Sequence, residues 1–332
     1  MIRDTSQQGK KLCALLMVAI FVILLAPLGG AYPLDLQELI FAKPQSQSFM
    51  IFWQLRLPRV LLAFFVGGLL SLSGMVFQAV FRNPLVSPFT LGVSAGASFG
   101  AAVYFFMGLS FSLLGFSGVM AFAFAGSLIS ILIVWILANT ARQQTINHML
   151  LAGVVVSFFF LSLILFIQYF SPHMDKVRIS HWLMGRLVIF GYEPLYGLSL
   201  TFLISVLVVR MFADELNILA TGEEMALSRG ISVKKIVSIL FFMVSLTVGH
   251  LVSICGPIAF IGIIVPHICR LMFGGNHRTL LWAVLLFGGT FLIVCDFIAR
   301  VCIAPSEVPV GIITALIGGP FFLWLMRGQR IY

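Results

Sequence analysis

The side chains of this chain that are able to do chemistry sit mainly in two places. Between Asp214 and Lys235 the sequence reads DELNILATGEEMALSRGISVKK and holds seven of the 20 Lys and Arg and 11 Asp and Glu residues. Glu223 and Glu224 at the front of this stretch and Arg229 towards its end suit the dipole of a short helix. Ala226 and Gly230, small and four residues apart, would give that helix a face able to lie flush in a groove of another protein, with Leu227 beside them. The second place is rich in arginine. Arg56-Leu-Pro-Arg59 opens one long apolar run and Arg300 closes another. A guanidinium binds a carboxylate bidentately, so three of them around one mouth would make a receptor for acidic side chains on a docking protein; the alternative reading is arginines that snorkel at a helix end. Asp296 lies four residues before Arg300, the spacing of a stabilising helical pair that would orient the arginine. The chemistry is recognition rather than catalysis. The chain has no GxxxxGK[ST] phosphate loop and is not an ATPase. Nor does any polar cluster resemble a catalytic triad, and the six histidines and five cysteines are scattered without ligand spacing.

The elements that position these groups are membrane spans. The chain has 332 residues, 61% hydrophobic and only 9% charged, where a soluble domain would carry about a quarter charged. Continuous apolar runs of roughly 20 residues cross a bilayer as helices, and the short alternating segments of a β-barrel are missing. The fold class is therefore all-α and polytopic. Ten spans are expected, at about 11–31, 58–81, 89–107, 113–138, 145–169, 194–212, 236–255, 257–272, 279–302 and 308–326. With both termini in the cytoplasm, 13 basic residues fall inside and 7 outside, as the positive-inside rule requires. That orientation puts Asp214–Lys235 in the cytoplasm and the three arginines outside. The first run exceeds the h-region of a signal peptide, about 7–15 residues, and reads as a retained anchor. No linker or low-complexity stretch divides residues 1–332, so one transmembrane domain is expected, with the polar segment at about 214–232 projecting from it. The net charge of +9 is spread singly over span ends, which speaks against a nucleic-acid partner.

Three further strings punctuate the spans. Phe81-Arg-Asn-Pro-Leu-Val-Ser-Pro-Phe-Thr-Leu-Gly-Val-Ser-Ala-Gly96 joins turn chemistry at Asn83-Pro84 and Ser87-Pro88 to a ridge of Gly92, Gly96 and Gly100, a packing seam for close helices. Gly256-Pro-Ile-Ala-Phe-Ile-Gly-Ile-Ile-Val-Pro-His-Ile-Cys-Arg270 holds a short span. Glu307-Val-Pro-Val-Gly-Ile-Ile-Thr-Ala-Leu-Ile-Gly-Gly-Pro-Phe-Phe-Leu-Trp-Leu325 holds the last.

In these strings and in Gly222-Glu-Glu-Met-Ala-Leu-Ser-Arg-Gly230, in order and spacing from about Leu55 to Arg327, the chain resembles the FecCD-type permeases of ABC importers that carry vitamin B12, heme and iron-siderophores. The resemblance implies a homodimer in a bacterial or archaeal cytoplasmic (inner) membrane. Two ATP-binding cassette subunits would sit below it, holding ATP and Mg that this chain does not bind, and one periplasmic or lipid-anchored substrate-binding protein above. It implies that Glu223, Glu224, Ala226, Leu227, Arg229 and Gly230 couple to the ATPase and that Arg56, Arg59 and Arg300 meet the binding protein. Asn83, Leu85, Gln144 and Thr145 would form the inner gate. Phe166 on the Phe-rich fifth span, with Gly311 and Thr314 on the tenth, would line a path along the dimer axis. The expected cargo is a metal chelate, ferric siderophore first, with heme, cobalamin or molybdate as alternatives. An ion-coupled secondary transporter is the rival of a different class, but mid-span acids are missing apart from Asp296.

Overall fold

Apolar runs in lipid leave the backbone no water to bond, so each closes its own hydrogen bonds as a helix. The computed structural model has this form over residues 5–30, 32–40, 46–113, 116–140, 146–303 and 306–328, the residues it describes. Its helices are α1 (Thr5–Leu25), α2 (Leu36–Ile40), α3 (Gln47–Met50), α4 (Leu57–Val80), α5 (Val93–Phe106), α6 (Gly118–Thr140), α7 (Ile146–Phe170), α8 (His173–Leu183), α9 (Glu193–Met211), α10 (Ala213–Leu219), α11 (Glu223–Ser228), α12 (Val233–Cys255), α13 (Ile261–Phe273), α14 (His277–Val301) and α15 (Val310–Gly328). A π-helical turn, Ile51–Arg56, joins α3 to α4 in one run. Ser112–Leu113 and Phe116–Ser117 pair as a minimal antiparallel hairpin.

Each of the ten apolar segments falls on a helix. Among the described residues, seven helical stretches are long and apolar enough to cross a bilayer, and α5, α13 and α15 are shorter apolar helices. The protein is a nearly all-helical, multi-pass membrane protein. Several boundaries differ from the expected ones for local reasons. Helix α1 takes in the polar residues from Thr5 ahead of the apolar run, and Pro27 stops it about six residues early. Helix α5 starts only at Val93, after a 3₁₀ turn over Pro88–Leu91 and a left-handed Gly92. Helix α13 starts at Ile261, since Pro257 cannot extend α12 and Phe260 takes a left-handed conformation.

Helix α4 forms the centre, with 83% of its apolar window buried, and it packs most extensively on α14. Glycine makes that approach possible. A methyl group at Gly67 would lie 2.3 Å from the carbonyl of Gly288, and one at Gly288 would lie 2.6 Å from that of Gly67. The α5–α6 seam is built the same way, Gly96 against Gly126 and Gly100 against Phe122, so two glycines of the expected ridge do pack helices. Helix α1 lies on the outside against α14, with 6% of its window buried. It is tied at both ends. Gln8 Nε2 and Lys11 Nζ donate to the last carbonyls of α13, Phe273 at 3.0 Å and Met272 at 3.3 Å. At the far end, arginines cap α1 itself, as described next.

Candidate functional site

The arginine end is assembled from the starts of α4 and the ends of α1 and α14. Arg56 Nη1 donates to Pro27 O (3.3 Å) and Leu28 O (3.2 Å), and its Nη2 to Tyr32 O (2.5 Å). Arg300 Nη2 donates to Ala26 O (3.2 Å) and its Nη1 to Gly29 O (3.1 Å). The chain leaving a helix carries carbonyls without intrahelical partners and a partial negative charge, and the two guanidiniums answer both. Both arginines are buried, at 7% and 3% exposure, so neither is presented outward as a free carboxylate receptor. That corrects the expected common face of three open arginines. Carbonyl acceptors on a chain end carry no signal in the side-chain sequence.

Arg59 is the most accessible of the three. Its Nη2 and Nε lie 2.9 and 3.0 Å from Asp296 Oδ1, and its Nη1 lies 2.7 Å from Glu307 Oε2. Asp296 is buried and meets Arg300 Nε at 3.1 Å, so the expected i,i+4 pair is present but shared with α4. Glu307, half-exposed, was missed by sequence reasoning. It is the one acid after Asp296, which is the available signal. A cavity of about 330 Å³ opens between these groups, lined by Arg56, Arg59, Arg300, Glu307, Tyr32 and Val188.

At the opposite end, α10 and α11 interrupt the chain between α9 and α12. Ala213, Leu216 and Leu219 bury one side of α10. The other side is fastened to the start of α14. Asp214 makes a two-point ion pair with Arg278, one contact at 2.6 Å, and this bond holds its carboxyl below the usual carboxylate range. Asn217 Oδ1 accepts from His277 N at 2.8 Å. Gly222 (φ 140°) and Gly230 (φ 76°) bracket α11, both in conformations that other residues avoid. Ala226 is fully buried against the bundle, and its carbonyl accepts from Ile231 N. This overturns the expected outward face for Ala226, while Gly230 is exposed. The outward face consists of Glu224, Met225, Leu227, Ser228, Arg229 and Gly230, with Glu223 half-exposed. Glu223 Oε2 stands 3.5 Å from Arg82 Nη2, which ties α11 to the turn after α4.

That turn carries the expected gate. Arg82 is left-handed (φ 49°), and Asn83 Oδ1 accepts from Leu85 N at 2.9 Å, an Asx turn that leaves Leu85 exposed. Gln144 and Thr145 lie outside the described residues. Of the expected path residues, Phe166 is exposed on α7. Gly311 and Thr314 are not on an open wall. A methyl group at Gly311 would lie 2.2 Å from Met184 O, and Thr314 is buried with its Oγ1 donating to Gly311 O. The open face of α15 is instead Leu316, Ile317 and Leu323.

The model of the FecCD transport family matches residues 15–328. A hemin transport system permease of Yersinia pestis is 34% identical over 322 residues, covering 95% of this chain and 96% of its own. A cobalamin import system permease of Halobacterium salinarum is 36% identical over 301 residues, 91% of this chain and 79% of its own. Among solved structures, one described as an inward-facing metal-chelate type ABC transporter superposes with a TM-score of 0.83 at 30% identity, covering 97% of this chain and all of that one. The chain belongs to the FecCD transport family, whose members are membrane permeases of ABC importers.

Proposed function

We propose that this chain is the permease of a binding-protein-dependent importer for a metal chelate, ferric siderophore first, driven by ATP and Mg held in two partner ATPase subunits at the α10–α11 end. The observation that carries this reading is the projection of α11. It is a six-residue helix between two left-handed glycines, with Met225 and Leu227 exposed among Glu224, Ser228 and Arg229. Exposed apolar side chains on a short, pinned helix support a docking role, because they lose nothing by entering a groove. At the other end, the Arg59–Glu307 edge offers both signs of charge to a substrate-binding protein, while Arg56 and Arg300 hold the rim in shape. The apolar faces of α7 (Phe158, Phe166, Tyr169) and α15 (Leu316, Leu323) suit a second copy of the chain, with the path between the two and Asn83-Leu85 closing it at the coupling end. Relatives named for heme and cobalamin keep those cargoes as alternatives, along with molybdate.

Uptake into proteoliposomes containing the permease, its ATPase subunit and its binding protein tests the reading. A ferric hydroxamate, heme, cobalamin and molybdate are offered in turn, with and without ATP. ATP-dependent accumulation of the ferric chelate is expected. Uptake driven by an ion gradient in vesicles lacking the ATPase would overturn it.

A further inference from the structure

A second site lies inside the membrane-spanning layer and shares no lining residue with the arginine cavity. Helices α6 and α9 both pack on α12 and splay apart over it, leaving a cleft of about 580 Å³. Its lining includes no residue of α7 or α15. Along α12 the cleft runs from Met243 to Ile254, a rise of about 17 Å, a little over half the ~30 Å hydrocarbon core. It starts near the arginine end, where α12 stops and α6 and α9 begin, and finishes near mid-membrane. Leu246 and Ile204 on its edges are exposed, so the groove opens sideways to lipid.

An apolar groove of this shape would accept any chain. This one also carries a polar set, and polar groups within a span mark a site. His250 Nδ1 stands 2.8 Å from Thr201 Oγ1, and Ser205 Oγ stands 2.9 Å from Thr247 Oγ1. Each hydroxyl has a helix carbonyl within reach of its proton: Thr201 Oγ1 stands 3.0 Å from Gly197 O, Thr247 Oγ1 2.9 Å from Met243 O and Ser253 Oγ 2.7 Å from His250 O. Thr201 has one proton for two acceptors, Gly197 O and His250 Nδ1; where the carbonyl takes it, Thr201 accepts from His250 Nδ1–H. A neutral imidazole then holds Nε2 as a bare acceptor. Gly197 keeps space open beside it, since a methyl group there would lie 3.7 Å from Nε2. The groove thus offers lone pairs and no donors.

We propose that this cleft holds the chain of a membrane amphiphile carrying a hydroxyl group, which donates to His250 Nε2 while the chain lies along α12. The occupant comes from the surrounding leaflet, because the opening faces hydrocarbon. The lining is uncharged, so the hydroxyl group is matched where an anionic or cationic head would not be.

The test uses 1-hexadecanol with a photoreactive diazirine in its chain, and the methyl ether of the same molecule. Each is added to the full-length permease in phosphatidylcholine nanodiscs, whose lipid has no donor. Photolabelling of the peptides bearing Phe124 and Ile254 is then quantified. The alcohol is expected to label roughly three- to tenfold more than the ether, the worth of one hydrogen bond. His250→Phe should bring the two to equality, and Thr201→Val, which frees the imidazole to exchange its proton, should narrow the gap. Ala121→Trp, which fills the groove, should abolish labelling by both. Equal labelling by alcohol and ether in the wild type overturns the hydroxyl assignment, and labelling that survives Ala121→Trp overturns the site. Thermal unfolding of each variant shows that it is folded, and should His250→Phe fail, Thr201→Val carries the comparison.

Discussion

At the arginine end Arg56, Arg300 and Asp296 are buried and bonded to one another or to the carbonyls that follow α1. At the coupling end Arg82, Asp214, Arg278 and Glu223 make their ion pairs in the open, each side chain 39% exposed or more. The same residue types therefore do different work. A buried pair is expensive to desolvate and holds geometry only while every partner is present. An exposed pair contributes little and can be exchanged for a partner's charges at little cost. The arginine end is accordingly a fixed rim, and the coupling end an adaptable surface. Helices α4 and α14 connect them: α4 runs from Arg59 to the Arg82 turn, and α14 runs from Arg278 to Arg300. Their glycine seam makes one strut of the two.

The strongest way to break this comparison is at Asp296. Asp296→Ala leaves Arg59 and Arg300 without the carboxylate they share, an expected loss of about 3–5 kcal/mol. Folded protein in the membrane should drop sharply by fluorescence-detected gel filtration, while Asp214→Ala should accumulate like the wild type. Equal accumulation of the two variants would remove the distinction between fixed and adaptable ends.

The strut is next. Gly67→Leu drives a side chain into the Gly288 carbonyl and should cost about 1–3 kcal/mol by overpacking. The surviving protein should also show weaker stimulation of its ATPase partner by the binding protein, because the two ends no longer move as one. A stable variant with full stimulation would place the connection elsewhere.

The layout was legible in the sequence wherever hydropathy decided it. All ten apolar runs are helices, and Arg56, Arg59, Arg300 and the 214–235 island lie at opposite ends as the spans require. Orientation within each element was not legible. Ala226 turns inward because α10 and α12 fix the facing of a six-residue helix, and no periodicity is measurable over so short a length. The resemblance implies a path wall at Gly311 and Thr314, but small residues equally permit close packing, here of Gly311 on Met184. Helix α8 was invisible because Asp175, Lys176, Arg178 and His181 break any apolar run. The inward turn of Arg56 depends on backbone carbonyls that no residue type announces.

A smaller effect sharpens the coupling end. Gly230 is left-handed, with open space around it. Gly230→Trp strains that conformation and covers the exposed face of α11, so ATP-driven uptake should fall about tenfold, the scale of ~1.4 kcal/mol at a docking contact. Membrane insertion and thermal stability should stay near wild type. Normal uptake would mean that no partner meets this face.

The smallest effect is at Asp214, and its sign follows from its pKa. Arg278 lowers the carboxyl's native pKa below the value it would have in an unfolded chain, about 3.9. The pair's contribution is then complete above that unfolded value and is lost as pH falls through the lowered native one. Because both side chains are exposed, salt should screen the contribution, and the fold as a whole should not depend on it. The readout is therefore local: amide exchange in α10, corrected for the intrinsic pH dependence of exchange. At neutral pH and low salt, Asp214→Asn should exchange faster over Ala213–Leu219 than the wild type, with α14 unchanged beyond its first turn. The difference should shrink on acidification below about pH 4 and shrink again with added salt at neutral pH. A difference that persists through both treatments would mean that α10 is held by its buried Leu216 and Leu219 and by Asn217 rather than by charge, and the adaptable end would then be as fixed as the rim.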